Sequence, residues 1–316
     1  MEKELLTIVV PCYNEQEVLP LFREEILRVT NEMHEKNPQL DFEFLFINDG
    51  SKDSTLDILR KYSEEDERFR YVSFSRNFGK EAGIIAGLEN SKGDYVVIMD
   101  ADLQHPPAFL PQMYEYVSSG EYDCASTRRI SRKGEPKLLS FFSQMFYKVI
   151  NKISQTYIVD GAQDFRFMTR QMVDAILSMS EYNRFSKGIF SWVGFRTKYI
   201  EYENVERAAG KTTWNFWKLF KYSLEGIMAF STAPLAFAIL LAVLLIIAAA
   251  VLLITAIVFK STFQGILSAV MFVGGLQLFC TGVLGQYLAK TYMEVKGRPK
   301  YIIGETEEIY RKRKER

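Results

Sequence analysis

The chain has 316 residues, a quarter of them charged, with 39 basic and 39 acidic side chains and no net charge. That balance excludes the broad basic field of a nucleic-acid binder. The three cysteines, Cys12, Cys124 and Cys280, lie far apart with no CxxC, which argues against both a disulfide framework and a zinc site. His34 and His105 are the only histidines, so chemistry that depends on imidazole has few candidates.

In chain order, Leu6–Val10 is an apolar run ending at Pro11 and predicts a buried strand. From Glu15 to about Glu35, apolar residues at Val18, Phe22, Ile26, Val29 and Met33 have helical spacing. Phe42–Ile47 is the next strand, ending in Asn48-Asp-Gly50, and Ser51 or Asp53 can cap a helix running through Tyr62. Tyr71–Phe74 is a third strand. Lys80–Asn90 is a helix whose Gly83 and Gly87, one turn apart, imply close backbone packing. Tyr95–Met99 is a fourth strand and leads into Asp100. This βαβαβαβ order predicts a largely parallel, doubly wound sheet with its ligand site beyond the carboxyl ends of the strands. After a strand at Asp123–Thr127 the pattern loosens, with a helix expected over Lys137–Ser154.

Two uncharged apolar stretches follow, Met228–Phe259 and Ser261–Ala289, separated by Lys260. Each exceeds the roughly 20 residues a helix needs to cross a bilayer. The expected organisation is a soluble working domain at 1–211, an interfacial segment at 212–228, a transmembrane hairpin at 229–290 and a basic tail at 291–316. The spans are expected at about 234–258 and 264–289. Trp214, Phe216, Trp217, Phe220 and Tyr222 suit the headgroup level ahead of the first span. Lys218 and Lys221 before the hairpin, and Lys290, Lys296, Arg298 and Lys300 after it, put both its ends in the cytoplasm by the positive-inside rule. The apolar run after Met1 is too short for a signal peptide, so the working domain is expected on the cytoplasmic face of the plasma (inner) membrane. Gly274, Gly275, Gly282 and Gly285 give the second span a small-residue face, suited to a homo-oligomer or to tight packing within the hairpin.

Each predicted parallel strand ends in a polar motif: Pro11-Cys-Tyr-Asn-Glu15, Asn48-Asp-Gly-Ser51, Arg76-Asn-Phe-Gly-Lys80 and Asp100-Ala-Asp-Leu-Gln-His-Pro107. Asp100 and Asp102, at i and i+2 on a strand end, can turn into one site, and oxygen ligands of this kind suit Mg²⁺ or Mn²⁺. Alone such a pair is a common acidic turn. The four motifs in this order resemble the inverting GT-A glycosyltransferases, and in particular the polyisoprenyl-phosphate branch that includes dolichyl-phosphate mannose synthase and the bacterial undecaprenyl-phosphate glucosyltransferases. The resemblance covers about residues 5–230, and the two-span tail is similar to the bacterial members.

The resemblance implies a GT-A fold, Rossmann-like and mostly parallel, followed by the hairpin. It implies a nucleotide pocket lined by Pro11, Tyr13 and Glu15, with Asp49 on the uracil edge. Asp100 and Asp102, with Gln104 as a third ligand, would hold the metal on the diphosphate. Arg76 and Lys80, and further on Arg207 and Lys211, would meet the diphosphate. Asp164, in Gln163-Asp-Phe-Arg166, matches the branch's catalytic base, and Arg128 an acceptor-phosphate contact. The implied reaction moves a sugar from a UDP-sugar to a polyisoprenyl phosphate by a single inverting displacement. Such a lipid phosphate is mostly dianionic at neutral pH, so Asp164 can be a base or can orient the acceptor. Glucose and undecaprenyl phosphate are the favoured pair, with UDP-N-acetylglucosamine open as donor. A silent scaffold partnering a lipid-linked sugar transporter is the non-enzyme alternative, and joint retention of Asp49, Asp100, Asp102, Arg128 and Asp164 argues against it. A processive polysaccharide synthase needs more spans and a QxxRW segment that the chain lacks.

Overall fold

The computed structural model describes residues 3–129, 145–202 apart from 146, 155 and 183, Ile227, Ser231, parts of 233–251, and 263–315. Four parallel strands form the heart of the sheet: β1 (Glu4–Cys12), β2 (Leu40–Asn48), β3 (Phe69–Phe74) and β4 (Tyr95–Ile98), in spatial order β4-β1-β2-β3. The connecting helices are α1 (Leu19–Lys36), α2 (Thr55–Glu65) and α3 (Lys80–Asn90). They cover both faces, which is why these strands are continuous apolar runs without alternation. Phe22, Phe44, Phe46 and Phe69 fill one side of the sheet, and Val9, Leu45, Ile47, Ile84 and Ile98 the other. A Cβ on Gly87 would collide with Val9, and one on Gly83 would touch Pro11 at 3.4 Å. The glycine pair therefore does bring α3 down onto β1.

Beyond β4 the sheet becomes mixed. Helix α4 (Leu110–Ser118) leads to β5 (Cys124–Arg129) and then β6 (Ala162–Thr169), which lies antiparallel to both β4 and β5. Helices α5 (Arg170–Ser178) and α6 (Ser186–Trp192) precede β7 (Thr197–Tyr202), parallel to β5. The expected α/β, mostly parallel, GT-A-like sheet is present, with an antiparallel insertion that the βαβ pattern does not announce. The helix expected over 137–154 is helical at 145 and 147–153; its first part lies outside the described residues.

The apolar C-terminal part is helix α7 (Phe263–Val295), whose stretch Phe272–Val295 is long and apolar enough to cross a membrane. It extends past the expected end at 289. Among the described residues it is the one such helix, so the expected two-span hairpin is not established as drawn. The described parts of 233–251 are largely helical and touch α7: the Tyr287 hydroxyl donates to the Ser231 carbonyl at 2.7 Å, and Cys280 Sγ reaches the Ala238 carbonyl at 3.5 Å. Trp214–Tyr222 and Lys260 lie outside the described residues.

The segment expected to be only a basic tail belongs to the sheet. β8 (Ile303–Thr306) pairs antiparallel with β3, and α8 (Glu307–Lys314) packs beside α2. Its carboxylates explain the docking. Arg60 donates to both oxygens of Glu305 at 2.8 and 2.9 Å, the Tyr71 hydroxyl adds a third bond at 2.9 Å, and Arg70 donates to Glu307 at 2.9 Å. Because β8 runs against β3, Ile303 lies beside Phe74, at the carboxyl end of the parallel strands. The chain leaving α7 thus arrives at the end of the sheet where ligands bind.

Candidate active site

The loops at the carboxyl ends of β1, β2 and β3 are tied into one body by Asp49. Its backbone N–H donates to the Cys12 carbonyl at 2.9 Å, while its buried carboxylate accepts the N–H groups of Phe78 and Gly79 at 2.6 and 2.9 Å. Burial raises its pKa, against the pull of those two bonds. Gly50 has φ +63° and would drive any side chain into the Arg76 backbone, so only glycine fits where the two loops touch. Asn14 adds a side-chain bond to the Lys52 N–H at 2.8 Å, and the Glu15 N–H donates to Thr55 Oγ1 at 2.9 Å. Pro11 is half-buried and Tyr13 exposed beside them. The Arg76 guanidinium lies over the Phe78 ring, 4.0 Å from its centroid.

The chemistry-bearing residues converge one strand further on. In the antiparallel ladder Ile98 faces Arg166, and carrying that register two residues onward places Asp164 opposite Asp100. Two facing carboxylates repel, and Lys80 stands between them. Its Nζ lies 2.9 Å from Asp100 and 2.8 Å from Asp164. Burial alone would raise the Asp164 pKa, but Lys80 and Lys187 overturn this and hold it well below the usual carboxylate range. The same two carboxylates push Lys80 far above its usual value against the effect of burial. Lys80, expected at a diphosphate, is here the counter-ion of the two acids.

Asp102 Oδ1 accepts the Gln104 N–H at 3.1 Å. His105 is buried between the rings of Phe165 and Tyr202, at 5.9 and 6.0 Å, and its Nδ1 has no hydrogen-bond partner among the described residues. Burial lowers its pKa, so it is neutral at physiological pH despite Asp100 and Asp102 nearby. The donor set of Asp100, Asp102 and Gln104 is hard oxygen, and Asp100 already accepts a cation from Lys80. Among the described residues no three or more His, Cys, Asp or Glu side chains gather in a metal-binding group. The protein's share would be the two carboxylates and the amide, leaving substrate oxygens to complete the shell, as Mg²⁺ usually has it.

Arg128, opposite Ala162 in the β5–β6 ladder, has other partners: its Nε donates to the Asp160 carbonyl at 3.1 Å and its Nη1 pairs with Glu201 at 3.4 Å. Arg207 and Lys211 lie outside the described residues.

Four groups were missed from sequence. Arg166 shares Asp164's face of β6; it is fully buried, stacks on Phe190 at 4.6 Å and leaves its Nε unpartnered among the described residues. Glu81 accepts the N–H and hydroxyl of Ser186, joining the first turns of α3 and α6, and burial raises its pKa. Lys187 follows Ser186. His105, inside a quoted motif, was given no role. The i, i+2 spacing of Asp164 and Arg166 was the one available signal; the others depend on helix packing.

The family description "Glycosyl transferase family 2" matches residues 7–177. A bactoprenol glucosyl transferase derived from prophage SfII in Shigella flexneri is 40% identical over 305 residues, covering 94% of this chain and 97% of the relative. The prophage bactoprenol glucosyl transferase homolog of Escherichia coli K12 is 39% identical, covering 94% and 98%. Among solved structures, glucosyl-3-phosphoglycerate synthase from Mycobacterium tuberculosis, in complex with Mn²⁺, UDP-glucose and phosphoglyceric acid, matches with a TM-score of 0.45 and 17% identity over 71% of this chain and 78% of that one. With a family match across more than half its length and relatives near 40% identity along almost all of it, the chain belongs to glycosyl transferase family 2 and is a glycosyltransferase.

Proposed function

We propose that the chain transfers glucose from UDP-glucose to undecaprenyl phosphate at the cytoplasmic face of the plasma membrane. The observation that carries this reading is the Lys80–Asp100–Asp164 cluster at the sheet end where the chain from the apolar helix α7 returns. The relatives, bactoprenol glucosyl transferases, support glucose as the sugar and bactoprenol as the lipid.

The nucleotide would lie over the Asp49-tied loops of β1, β2 and β3, with Pro11, Tyr13, Glu15 and Arg76 around it. Asp49 would act mainly by holding those loops, since both its oxygens already accept backbone N–H groups. Asp100 and Asp102, with Gln104, would hold Mg²⁺ or Mn²⁺, which when bound supplies positive charge to the departing diphosphate. Arg207 and Lys211 would close on the same group. Binding of a divalent cation at Asp100 would compete with Lys80 and leave it to Asp164. Asp164, held so strongly ionised, is a poor proton acceptor. It therefore serves to orient Lys80 and the acceptor, and the phosphate dianion attacks the anomeric carbon without a base. Arg128 would meet the acceptor at the rim of the sheet.

The membrane part of the reading is a two-span hairpin with its turn at Lys260 outside, supported by the Ser231–Tyr287 and Ala238–Cys280 contacts, whose partner numbers fall as those of α7 rise. A homo-oligomer is part of the same reading. Among the described residues nothing lies within 4 Å of a Cβ built on Gly274, Gly275, Gly282 or Gly285, which supports an outward-facing packing surface. The test is the full chain in detergent with undecaprenyl phosphate, Mg²⁺ and a panel of UDP-sugars, read by mass spectrometry of the lipid. A hexosyl-phospholipid with UDP-glucose is the expected product; none with any donor overturns the reading.

A further inference from the structure

Sheet order divides the site into two flanks. The loops of β1, β2 and β3 lie on one side of Asp100, and β6, with Asp164, on the other. The second flank carries a lysine with no role so far. Helix α6 lies on β6, and its first turn is fastened to the first turn of α3 through Ser186 and Glu81. Consecutive residues on each helix, Lys80-Glu81 and Ser186-Lys187, are thereby brought side by side. Lys187 is half-buried, lies within electrostatic range of Asp164 and Lys80, and donates a hydrogen bond to the Tyr147 phenol oxygen. Lys80 pairs with Asp164 at 2.8 Å, and Lys187 stands within electrostatic range of the same carboxylate, with the Arg166 guanidinium on Phe190 nearby.

The surroundings of Lys187 lead towards the apolar segment. Phe185, two residues earlier, packs with Ile150 and Ile158, and Tyr147 and Ile227 close that cluster. The Ser231 hydroxyl donates to the Ile153 carbonyl at 2.9 Å, immediately before the helical stretch that touches α7. Lys187 therefore lies between Asp164 and the root of the apolar helices, on the side of Asp100 away from the nucleotide loops. A cation so placed, partly shielded from water, makes strong charge-assisted bonds to a phosphate.

We propose that Lys187 is the residue that receives the phosphate of the lipid acceptor, aligned by the Glu81–Ser186 contact. The ligand class is a prenyl phosphomonoester whose hydrocarbon extends along the Phe185–Ile227 side. This rests on the transferase reading above but can be tested without turnover. Calorimetry on the full chain in detergent would compare farnesyl phosphate, farnesol and inorganic phosphate as ligands of the unaltered protein, Lys187→Ala and Lys187→Arg. We expect Lys187→Ala to weaken farnesyl phosphate by roughly tenfold to a hundredfold, the worth of one hydrogen bond to a charged group, with Lys187→Arg recovering part of the loss. UDP affinity and the unfolding temperature should be unchanged. In turnover, the KM for undecaprenyl phosphate should rise and that for UDP-glucose should not. Unaltered farnesyl phosphate binding by Lys187→Ala would overturn the proposal, as would equal loss of UDP binding. Inorganic phosphate affected as strongly as farnesyl phosphate would overturn the lipid assignment. Absence of lipid glycosylation by the unaltered protein strikes the parent reading instead, and leaves the binding comparison standing.

Discussion

Asp164 on β6 and Lys80 at the start of α3 are joined by a 2.8 Å ion pair, and the same ammonium reaches Asp100 at 2.9 Å. One cation thus links the strand end expected to hold a metal with the residue matching the family's base.

Removing that cation should damage the site in a defined way. In Lys80→Met, Asp100 and Asp164 face each other with no cation bridging them and only Lys187 left near Asp164, so the Asp164 pKa rises. We expect transfer to fall on the order of 10²-fold, as for loss of one preorganised electrostatic contact. The pH–rate profile should gain an acid limb from Asp164. Steady-state turnover between pH 5 and 8 measures both; a profile identical to that of the unaltered protein would count against the bridging role.

The unaltered enzyme should show no Asp164 titration. Its carboxylate is held below the usual range, so it is ionised throughout the pH range of activity. The acid limb should instead follow the second ionisation of the lipid phosphate, near pH 6. Asp164→Asn should lose activity by the same factor at pH 6 and at pH 8. A deficit that shrinks as pH rises would restore a proton-transfer role.

Metal removal is the third test. Excess EDTA should abolish transfer, and Mg²⁺ or Mn²⁺ should restore it. Asp102→Asn should also abolish transfer while the unfolding temperature holds, because the Asp102 side chain is half-exposed and, unlike its neighbours Ala101 and Leu103, takes no part in the hydrophobic cluster. Full turnover in EDTA would remove the metal from the scheme.

The four parallel strands were legible because their apolar runs are bounded by polar motifs, and α3 was legible to the residue because Gly79 breaks the chain ahead of Lys80. The motif residues Asp49, Asp100, Asp102 and Lys80 stand at those strand ends, and the family resemblance, not the pattern, suggested their roles. Their partners could not be named. The Lys80–Asp164 pair depends on antiparallel register between β4 and β6, which local pattern does not encode. β8 was hidden for a different reason. Ile303-Gly-Glu-Thr306 is too short to show alternation, and Glu305, with Glu307 just after it, looks like a surface charge until Arg60 and Arg70 on distant elements are placed against them.

With α7 crossing the membrane as proposed, the docking of β8 sets which side the site is on. In that reading the end of α7 and the sheet lie on one side of the membrane, because residues 296–302 alone connect Val295 to Ile303. A cysteine replacing Lys312, exposed on α8, should resist an impermeant thiol reagent applied to intact cells. Ser261→Cys, between the two apolar stretches, should react. Reversed labelling would place the site on the wrong side for a cytoplasmic nucleotide sugar.

The β8 clamp itself should be measurable. Glu305 is nearly buried against Arg60 and Tyr71, so Glu305→Gln takes away the bidentate carboxylate of a partly buried guanidinium and leaves it only the exposed Asp57. A loss of about 1–3 kcal/mol is expected for hydrogen bonds to a charged group. That corresponds to roughly 2–4 °C in Tm per kcal/mol for a domain of this size. Arg60→Ala should cost a similar amount, and the double variant less than the sum, since the two residues share one interaction. The pH sign is fixed by the pair. The Arg60 hydrogen bonds lower the Glu305 pKa below its unfolded value, so the stabilisation is fully present above that unfolded value, about 4.3, and is lost as pH falls through the folded one. Thermal unfolding at pH 7 and pH 4 should therefore show the Glu305→Gln difference narrowing in acid. Because β8 holds the end of α7 at the edge of the site, the same variant should also reduce transfer to membrane-embedded lipid more than binding of UDP. Equal loss of both would make β8 a stabilising strand with no part in presenting the site to the membrane.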